Sequence, residues 1–444
     1  MAKGKYKQFV DRIAADIHSG KLSPGTRLST HREFAAKEGI ALATVTKIYS
    51  KLESMGLISG EVGRGTFVRE VNLPSGHGID QPPTSAGMID LNFNYPALPG
   101  QSDKLRTALR HLASSGDLDA LLRYQPHAGR KNDREQVAKY LENRNLETRA
   151  DQIFIVSGAQ HGLAVSVFAL LKPGDVVAVD ALTYPGFKYL AETHGLELLS
   201  IPGFPNGPDL NALEKLCKQR SIKAVYSMPT VHNPLGWVLS TEQRQRLVEI
   251  SRTHGLMIIE DAAYAYLDKA PPPPLAAMAP ERTIYVSGFS KNIATGLRIG
   301  FVVTPPEWAS KIDRAIRVTT WNTPALITTI ACGWIEDGTV SKLESEKRKD
   351  ASMRQSIARK IFRGIDYLGH PASYFLWIPL GEEARADQVV MELSRENISV
   401  SNAEPFATTG HVPHAIRLAL GSVEPDLLRS ALTNVRSVVD AYSI

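Results

Sequence analysis

The chain has 444 residues, 43% of them apolar and 22% charged, enough to bury a large core in two or three domains. No run of some 18 apolar residues occurs, and the N-terminus "MAKGKYKQFVDRIAADIHSG" is charged throughout without the apolar core of a signal peptide; this excludes a membrane span and leads us to expect a cytoplasmic protein. Cys217 and Cys332 lie far apart with no Cys/His pattern nearby, which excludes a disulfide framework and a zinc site, so both read as core or incidental residues and no metal is expected.

Net charge is +5, and all of it lies at one end: residues 1–70 hold 12 Lys and Arg against 7 Asp and Glu, while the remainder holds 39 of each sign. A small basic module joined to a large neutral one suggests a head that binds a polyanion, although such a surplus also suits an ordinary solvated face.

From Tyr6 to His18 the residues Phe9, Ile13 and Ile17 recur at helical spacing until "SGKLSPG" breaks the pattern, which predicts a first helix. Thr30 and Glu33 form a capping-box pattern opening "HREFAAKEG", and Gly39 ends that short second helix. "ALATVTKIYSKLESMG" predicts a third, with Val45, Ile48, Tyr49 and Leu52 on its apolar face. Two short helices joined by a tight turn are a helix-turn-helix, whose second helix enters the major groove. "LISGEVGRGTFVRE" then alternates apolar and polar residues around Gly63, Arg64 and Gly65, as a two-stranded wing does.

This stretch, "LSTHREFA…TVTKIYSKLESMGLISGEVGRGTFV", resembles the winged helix of GntR-type bacterial regulators over about 65 residues. The resemblance implies binding of double-stranded operator DNA, with Arg32, Thr44 and the wing tip Gly63 to Gly65 at positions that meet it. Two departures, Leu42 where the family often has arginine and Ala43 where it often has a small polar residue, shift base readout toward Thr46, Lys47 and Arg64. The ordinary alternative for Lys47 and Arg64 is surface solvation.

Residues 71–88, "VNLPSGHGIDQPPTSAGM", hold three prolines and three glycines with little apolar content and read as a linker between a head at 1–70 and a body at 89–444. Beyond it, short apolar runs ("IFIVSGAQ", "VVAVDALTYPG", "KAVYSMPTVHNP", "LMIIEDAAYAY", "TIYVSGFSK", "GLRIGFVV") alternate with helical segments. Such alternation predicts a mainly parallel sheet covered by helices on both faces, with ligands collecting beyond the carboxyl ends of the strands. Pro271 to Pro274 reads as a rigid surface turn.

In order, the strand ends offer Gly158, Ala159 and Gln160 before a helix, then Tyr184, Asn233, Asp261, Tyr264, Lys291 and Arg298. This order and spacing resemble the fold-type I enzymes of pyridoxal 5'-phosphate, the aspartate aminotransferase group, over roughly residues 88–444. The resemblance implies an α/β body with a smaller C-terminal α+β subdomain. Joined to the head, it resembles the MocR subgroup of GntR regulators.

The resemblance also implies roles. Lys291 forms the Schiff base, with Phe289 and Ser290 before it as in the family's "FSK". Asp261 keeps the pyridine nitrogen protonated, and Tyr264 and Asn233 hydrogen-bond the ring's 3' oxygen. Gly158, Ala159 and Gln160 offer backbone N–H groups to the phosphate, and Arg298 supplies the countercharge. Tyr184 stacks on the ring. Gly288 stands where relatives commonly put Ser or Thr on the phosphate, leaving Ser287 or Ser290 for that contact. Arg417 in "AIRLALG" matches the arginine that pairs with a substrate carboxylate. Tyr124, in "LLRYQPHAGR", is expected to reach the phosphate of a partner subunit in a homodimer. Each residue has a plain alternative: a solvated strand-end lysine or arginine, an Asp helix cap, an Asn turn residue, a tyrosine packed in a loop.

Two readings follow. One is a regulator that senses pyridoxal phosphate, or its adduct with an amine or amino acid. The other is a working aminotransferase to which the head is secondary. Motifs alone do not separate them, because a regulator can retain slow transamination.

Overall fold

The computed structural model describes residues 2–18, 21–22, 26–55, 57–61, 65–68, 88–203, 206–381, 385–410 and 412–442. The chain divides into two compact units, Met1–Pro83 and Thr84–Ile444. The segment read as a linker falls outside the described residues apart from Met88.

In the first unit, α1 (Ala2–His18), α2 (His31–Glu38) and α3 (Leu42–Ser54) precede a hairpin of β1 (Ile58–Glu61) and β2 (Gly65–Val68). The capping box forms at α2: Thr30 Oγ1 accepts from the Glu33 N–H, and the Glu33 carboxylate accepts from the Thr30 N–H at 2.8 Å. A cap of this kind contributes about 1 kcal/mol. Val10, Ile13, Ile17, Phe34, Val45, Ile48, Leu52 and Val68 close one small core. The Tyr49 hydroxyl donates to Ser29 O at 2.7 Å, tying α3 to the turn before α2.

In the second unit the strands in chain order are β3 (Ile89–Asp90), β4 (Ile153–Val156), β5 (Val176–Asp180), β6 (Glu197–Ile201), β7 (Ile222–Ser227), β8 (Met257–Asp261), β9 (Thr283–Gly288), β10 (Gly300–Val303), β11 (Phe375–Pro379), β12 (Ile398–Ser399), β13 (Ser401–Asn402) and β14 (Ala415–Ala419). Seven of them form the main sheet in the order β4-β10-β9-β8-β7-β5-β6, with β10 antiparallel to both its neighbours and the others parallel. Strand alternation sorts the side chains. Phe154, Val156, Val177, Val179, Ala224, Tyr226 and Val302 share one core with the helices Ala159–Leu170 and Pro306–Thr319. Ile153, Ile155, Tyr285, Phe301 and Val303 face the other way, toward the helix Lys131–Glu142. Burying each large aliphatic side chain contributes about 1.5–3 kcal/mol.

β6, "ELLSI", was not among the six sequence runs. It lies at one edge of the sheet, only its last residue is buried, and its sequence therefore lacks the continuous apolar run of a strand covered on both faces.

The smaller sheet β11-β14-β13 packs Leu376, Ile378, Ile416 and Leu418 against Leu428, Leu432 and Val435 of the helix Pro425–Ala441. Ile416 and Leu418 enter that core, so alternation turns Arg417, between them, to the opposite side. β3 pairs in parallel with β12, Ile89 opposite Ile398. Among the described residues no helix is long and apolar enough to cross a membrane.

Candidate functional site

The carboxyl ends of the parallel strands bring the predicted residues to one edge of the sheet. β4 runs out through Ser157 into Gly158, at φ 90°, which opens the helix Ala159–Leu170. The Arg298 guanidinium lies against Gly158, since a Cβ there would stand 2.8 Å from Arg298 Nη2. Arg298 Nη1 donates to Ser290 Oγ at 3.3 Å. Side chains at Gly288 and Gly300 would crowd the Ala159 amide nitrogen, at 3.2 and 3.0 Å from their Cβ positions. Helix-start amides, a guanidinium and a serine hydroxyl thus converge, a donor set suited to a phosphate. Of the two candidate serines, Ser290 stands beside Arg298, whereas Ser287 is buried with its hydroxyl donating to Ala262 O at 3.2 Å. Gln160 uses its Nε2 on Gly186 O at 2.9 Å, beside the Tyr184 ring.

Asp261 ends β8 and is 2% exposed. Burial raises its pKa, opposed by the Ala263 N–H, 3.0 Å from Oδ1, and by the Tyr226 hydroxyl, 2.8 Å from Oδ2. Tyr226 is itself held by stacking on Phe187, with ring centroids 3.8 Å apart. Burial also raises the Tyr184 pKa, with Asp261 and Tyr264 adding to the rise and Arg298 opposing it, so the anionic and cationic ends of the site share one aromatic neighbour. Tyr264 packs edge-on against Phe375 at 5.2 Å. Asn233 is buried, and its Oδ1 has no hydrogen-bond partner among the described residues.

Lys291, in the β9–β10 loop, donates from Nζ to the main-chain oxygen of Asn94 at 3.0 Å. Arg417 is 6% exposed, and its Nη1 donates to Asn92 O at 2.7 Å while its Nε has no partner among the described residues. Burial lowers its pKa, with Tyr264 and Asp90 opposing. Its guanidinium stands 5.2 Å from the Phe375 ring centroid and 5.9 Å from that of Phe406. A buried guanidinium with a neutral carbonyl as partner has the donor chemistry that a carboxylate would satisfy.

On the head, Arg32, Thr46 and Lys47 are exposed and Thr44 is half-buried. The Thr46 hydroxyl donates to Leu42 O at 3.1 Å within α3, so its own helix already uses that proton. Gly63 and Arg64 lie outside the described residues.

A family model, aminotransferase class I and II, matches residues 86–435. The chain belongs to the aminotransferase class I and II family. A second model, bacterial regulatory proteins of the gntR family, matches residues 5–68. A GntR head fused to a class I and II aminotransferase body is the MocR type of architecture. The "Uncharacterized HTH-type transcriptional regulator YdeF" of Bacillus subtilis is 28% identical, the match covering 94% of this chain and 90% of its own. The 2-aminoadipate transaminase of Thermus thermophilus is 27% identical over 74% of this chain and 84% of its own. Among solved structures, an archaeal alanine:glyoxylate aminotransferase superposes with TM-score 0.75 at 25% identity, covering 80% of this chain and 91% of that one. The cofactor of the family is pyridoxal phosphate, and the residues fit it: glycines keep the Arg298 cradle open, and the orphaned Asn233 Oδ1, the Asp261 carboxylate and the Lys291 amine belong to the carboxyl ends, or the loops that follow them, of the neighbouring strands β7, β8 and β9.

Sequence reasoning missed three members of the candidate site. Tyr226 is the buried donor to Asp261, and its place at the end of β7 is its only sequence signal. Asn92 and Asn94 take part through main-chain carbonyls, which leave no mark in the residue type.

Proposed function

We propose that the protein is a transcription regulator that binds operator DNA through residues 1–70 and senses pyridoxal phosphate, or its adduct with an amine or amino acid, through residues 89–444, the two being joined by 71–88. Bound pyridoxal phosphate supplies an aldehyde that captures amines and a ring that withdraws electrons. The protein's part is to bind and orient: Gly158, Ala159, Gln160, Ser290 and Arg298 hold the phosphate, Tyr184 covers the ring, Asp261 keeps the proton on the ring nitrogen, Asn233 and Tyr264 meet the 3' oxygen, Lys291 holds the aldehyde carbon, and Arg417 takes an effector carboxylate.

One observation carries the sensing role. The chain that comes from the head enters the body at β3, and within a few residues the carbonyls of Asn92 and Asn94 are bound by Arg417 and Lys291. A carboxylate arriving at Arg417 competes with Asn92 O, and a Lys291 amine turned to the cofactor lets go of Asn94 O. Filling the site therefore changes the hold on the segment that leads to the head, which is the differential contact a two-state switch needs. The second reading, a working aminotransferase, is favoured by the completeness of the set Lys291, Asp261 and Arg417.

The test is operator affinity, measured by fluorescence anisotropy on the full chain with cofactor, with and without a panel of amines and amino acids. An effector that alters the cofactor's absorbance should change operator affinity about 5–150-fold, and DNA should change effector affinity by the same factor. Arg32→Ala should weaken DNA binding and lower the salt slope by about 1 without moving the cofactor spectrum. An effector that alters the spectrum while DNA affinity, DNA bending and transcription stay fixed would favour the aminotransferase.

The body is also expected to pair with a second copy. Leu122 and Tyr124 are 85% and 84% exposed and Val318 is 72% exposed, and the Tyr124 ring lies 5.6 Å from the part-exposed Trp321. Large apolar side chains so exposed mark a contact face, and Tyr124 on it suits the phosphate of a neighbour's site. Light scattering should give twice the 48.6 kDa chain mass; a stable monomer with cofactor bound would refute the pairing.

A further inference from the structure

Lys347 is a fully buried lysine on the helix Thr339–Ile361. Its Nζ donates to three main-chain carbonyls, Pro96 at 2.8 Å, Lys291 at 3.0 Å and Ile293 at 2.9 Å. A neutral amine has only two N–H groups, so three acceptors at these distances specify the ammonium. Burial and then the Lys291 charge push its pKa down to about 7, with Asp350 opposing. One turn earlier on the same helix, Glu344 Oε1 accepts from Asn292 Nδ2 at 2.7 Å. Two side chains at i and i+3 thereby grip residues 291, 292 and 293, and the Tyr266 hydroxyl donates to the Lys291 carbonyl as well, at 2.9 Å.

Three buried or half-buried cations thus take alternate carbonyls of one segment: Arg417 takes Asn92, Lys291 takes Asn94 and Lys347 takes Pro96. The first two have other partners to meet when the site fills, whereas Lys347 has no exposed surface to offer a ligand. A methionine would fill much the same volume but would take this donor from the carbonyls of Pro96, Lys291 and Ile293, so a Lys347 variant is expected to lose stability as well, and the readouts below separate that loss from a loss of aim.

We propose that Lys347 is a positioning residue that fixes the main chain of Lys291 to the segment Asn92–Pro96, so that the Lys291 amine keeps its aim while its own contact with that segment is exchanged. The inference rests on Lys291 being the cofactor lysine.

The test uses the full chain loaded with pyridoxal phosphate. Borohydride reduction and peptide mapping of the parent come first: a label on any lysine other than Lys291 overturns the site reading itself. Lys347→Gln, which keeps two N–H donors, and Lys347→Met, which keeps none, are then compared with Leu343→Ala, a core truncation on the same helix. The readouts are cofactor affinity and visible circular dichroism per bound cofactor, which reports how firmly the chromophore is aimed. Lys347→Met should weaken affinity about tenfold or more and lose most of the visible ellipticity, with Lys347→Gln between it and the parent. Leu343→Ala should lower Tm and leave both readouts at the parent value. Folded Lys347 variants that match the parent, or that change no more than Leu343→Ala does, overturn the proposal. If only Lys347→Met fails to fold, Lys347→Gln decides on the same readouts; failure of both would make Lys347 a folding residue and overturn the proposal too.

Discussion

Lys291→Ala protein, loaded with pyridoxal phosphate and treated with borohydride, will carry no covalently bound cofactor, whereas the parent carries it on Lys291. The loss should be complete because the adjacent amine cannot substitute: Lys347 is fully buried, and three carbonyls occupy its N–H groups. The phosphate cradle does not depend on Lys291, since Arg298, Ser290 and the start of the helix Ala159–Leu170 are set by their own contacts. The variant should therefore still bind the cofactor reversibly, and its absorbance should resemble that of the free aldehyde. It should also melt somewhat lower, because Asn94 O loses its donor, a deficit of about 1–3 kcal/mol when the group is buried. Mass spectrometry after reduction decides the matter. A cofactor found on another lysine of the variant would show that the strand-end geometry had been misread.

Arg417→Gln will remove the response to amino acids and spare the response to simple amines. Arg417 is buried, its pKa is lowered by that burial, and its Nε is idle. Bringing a carboxylate there satisfies the guanidinium and supplies the missing countercharge, whereas a neutral glutamine cannot form the two parallel charge-assisted bonds. Losing a desolvated, hydrogen-bonded charge pair costs about 2–5 kcal/mol, or roughly 30- to 5,000-fold in affinity. The measurement is a titration of the cofactor's absorbance with an amino acid and with the corresponding amine that lacks the carboxylate. Equal losses for both ligands would mean that Arg417 shapes the pocket without reading the carboxylate.

The head was legible because its signals are local. A capping box lies within four residues and helical periodicity within one apolar face, so Thr30, Glu33, Gly39 and the row Val45, Ile48, Leu52 announce themselves without knowledge of what they pack against. Six of the seven strands of the main sheet were legible for a related reason: a strand covered on both faces is apolar along most of its length. β6 escaped because only its last residue is buried, whereas β4, at the other edge, is buried at every position and carries the apolar run.

The sequence by itself determined the residue types of the site and their order along the chain, because the chemistry of an amine, a carboxylate and a guanidinium belongs to the side chain wherever it sits. Tertiary structure alone decided which of these groups meet and which charges are buried. The reversal of β10 places Arg298 beside Gly158, 140 positions earlier in the chain. Arg417 reaches the carbonyl of Asn92 across 325 residues, and Lys347 that of Pro96 across 251. In "SKLESEKRKD" Lys347 is one charge among many, and nothing in the residue type distinguishes it from its exposed neighbour Lys342. A main-chain carbonyl is identical at every position, and burial is a property of the packed chain, so the hold of the three cations on Asn92, Asn94 and Pro96 exists only once the helix Thr339–Ile361 and β14 have closed over that segment.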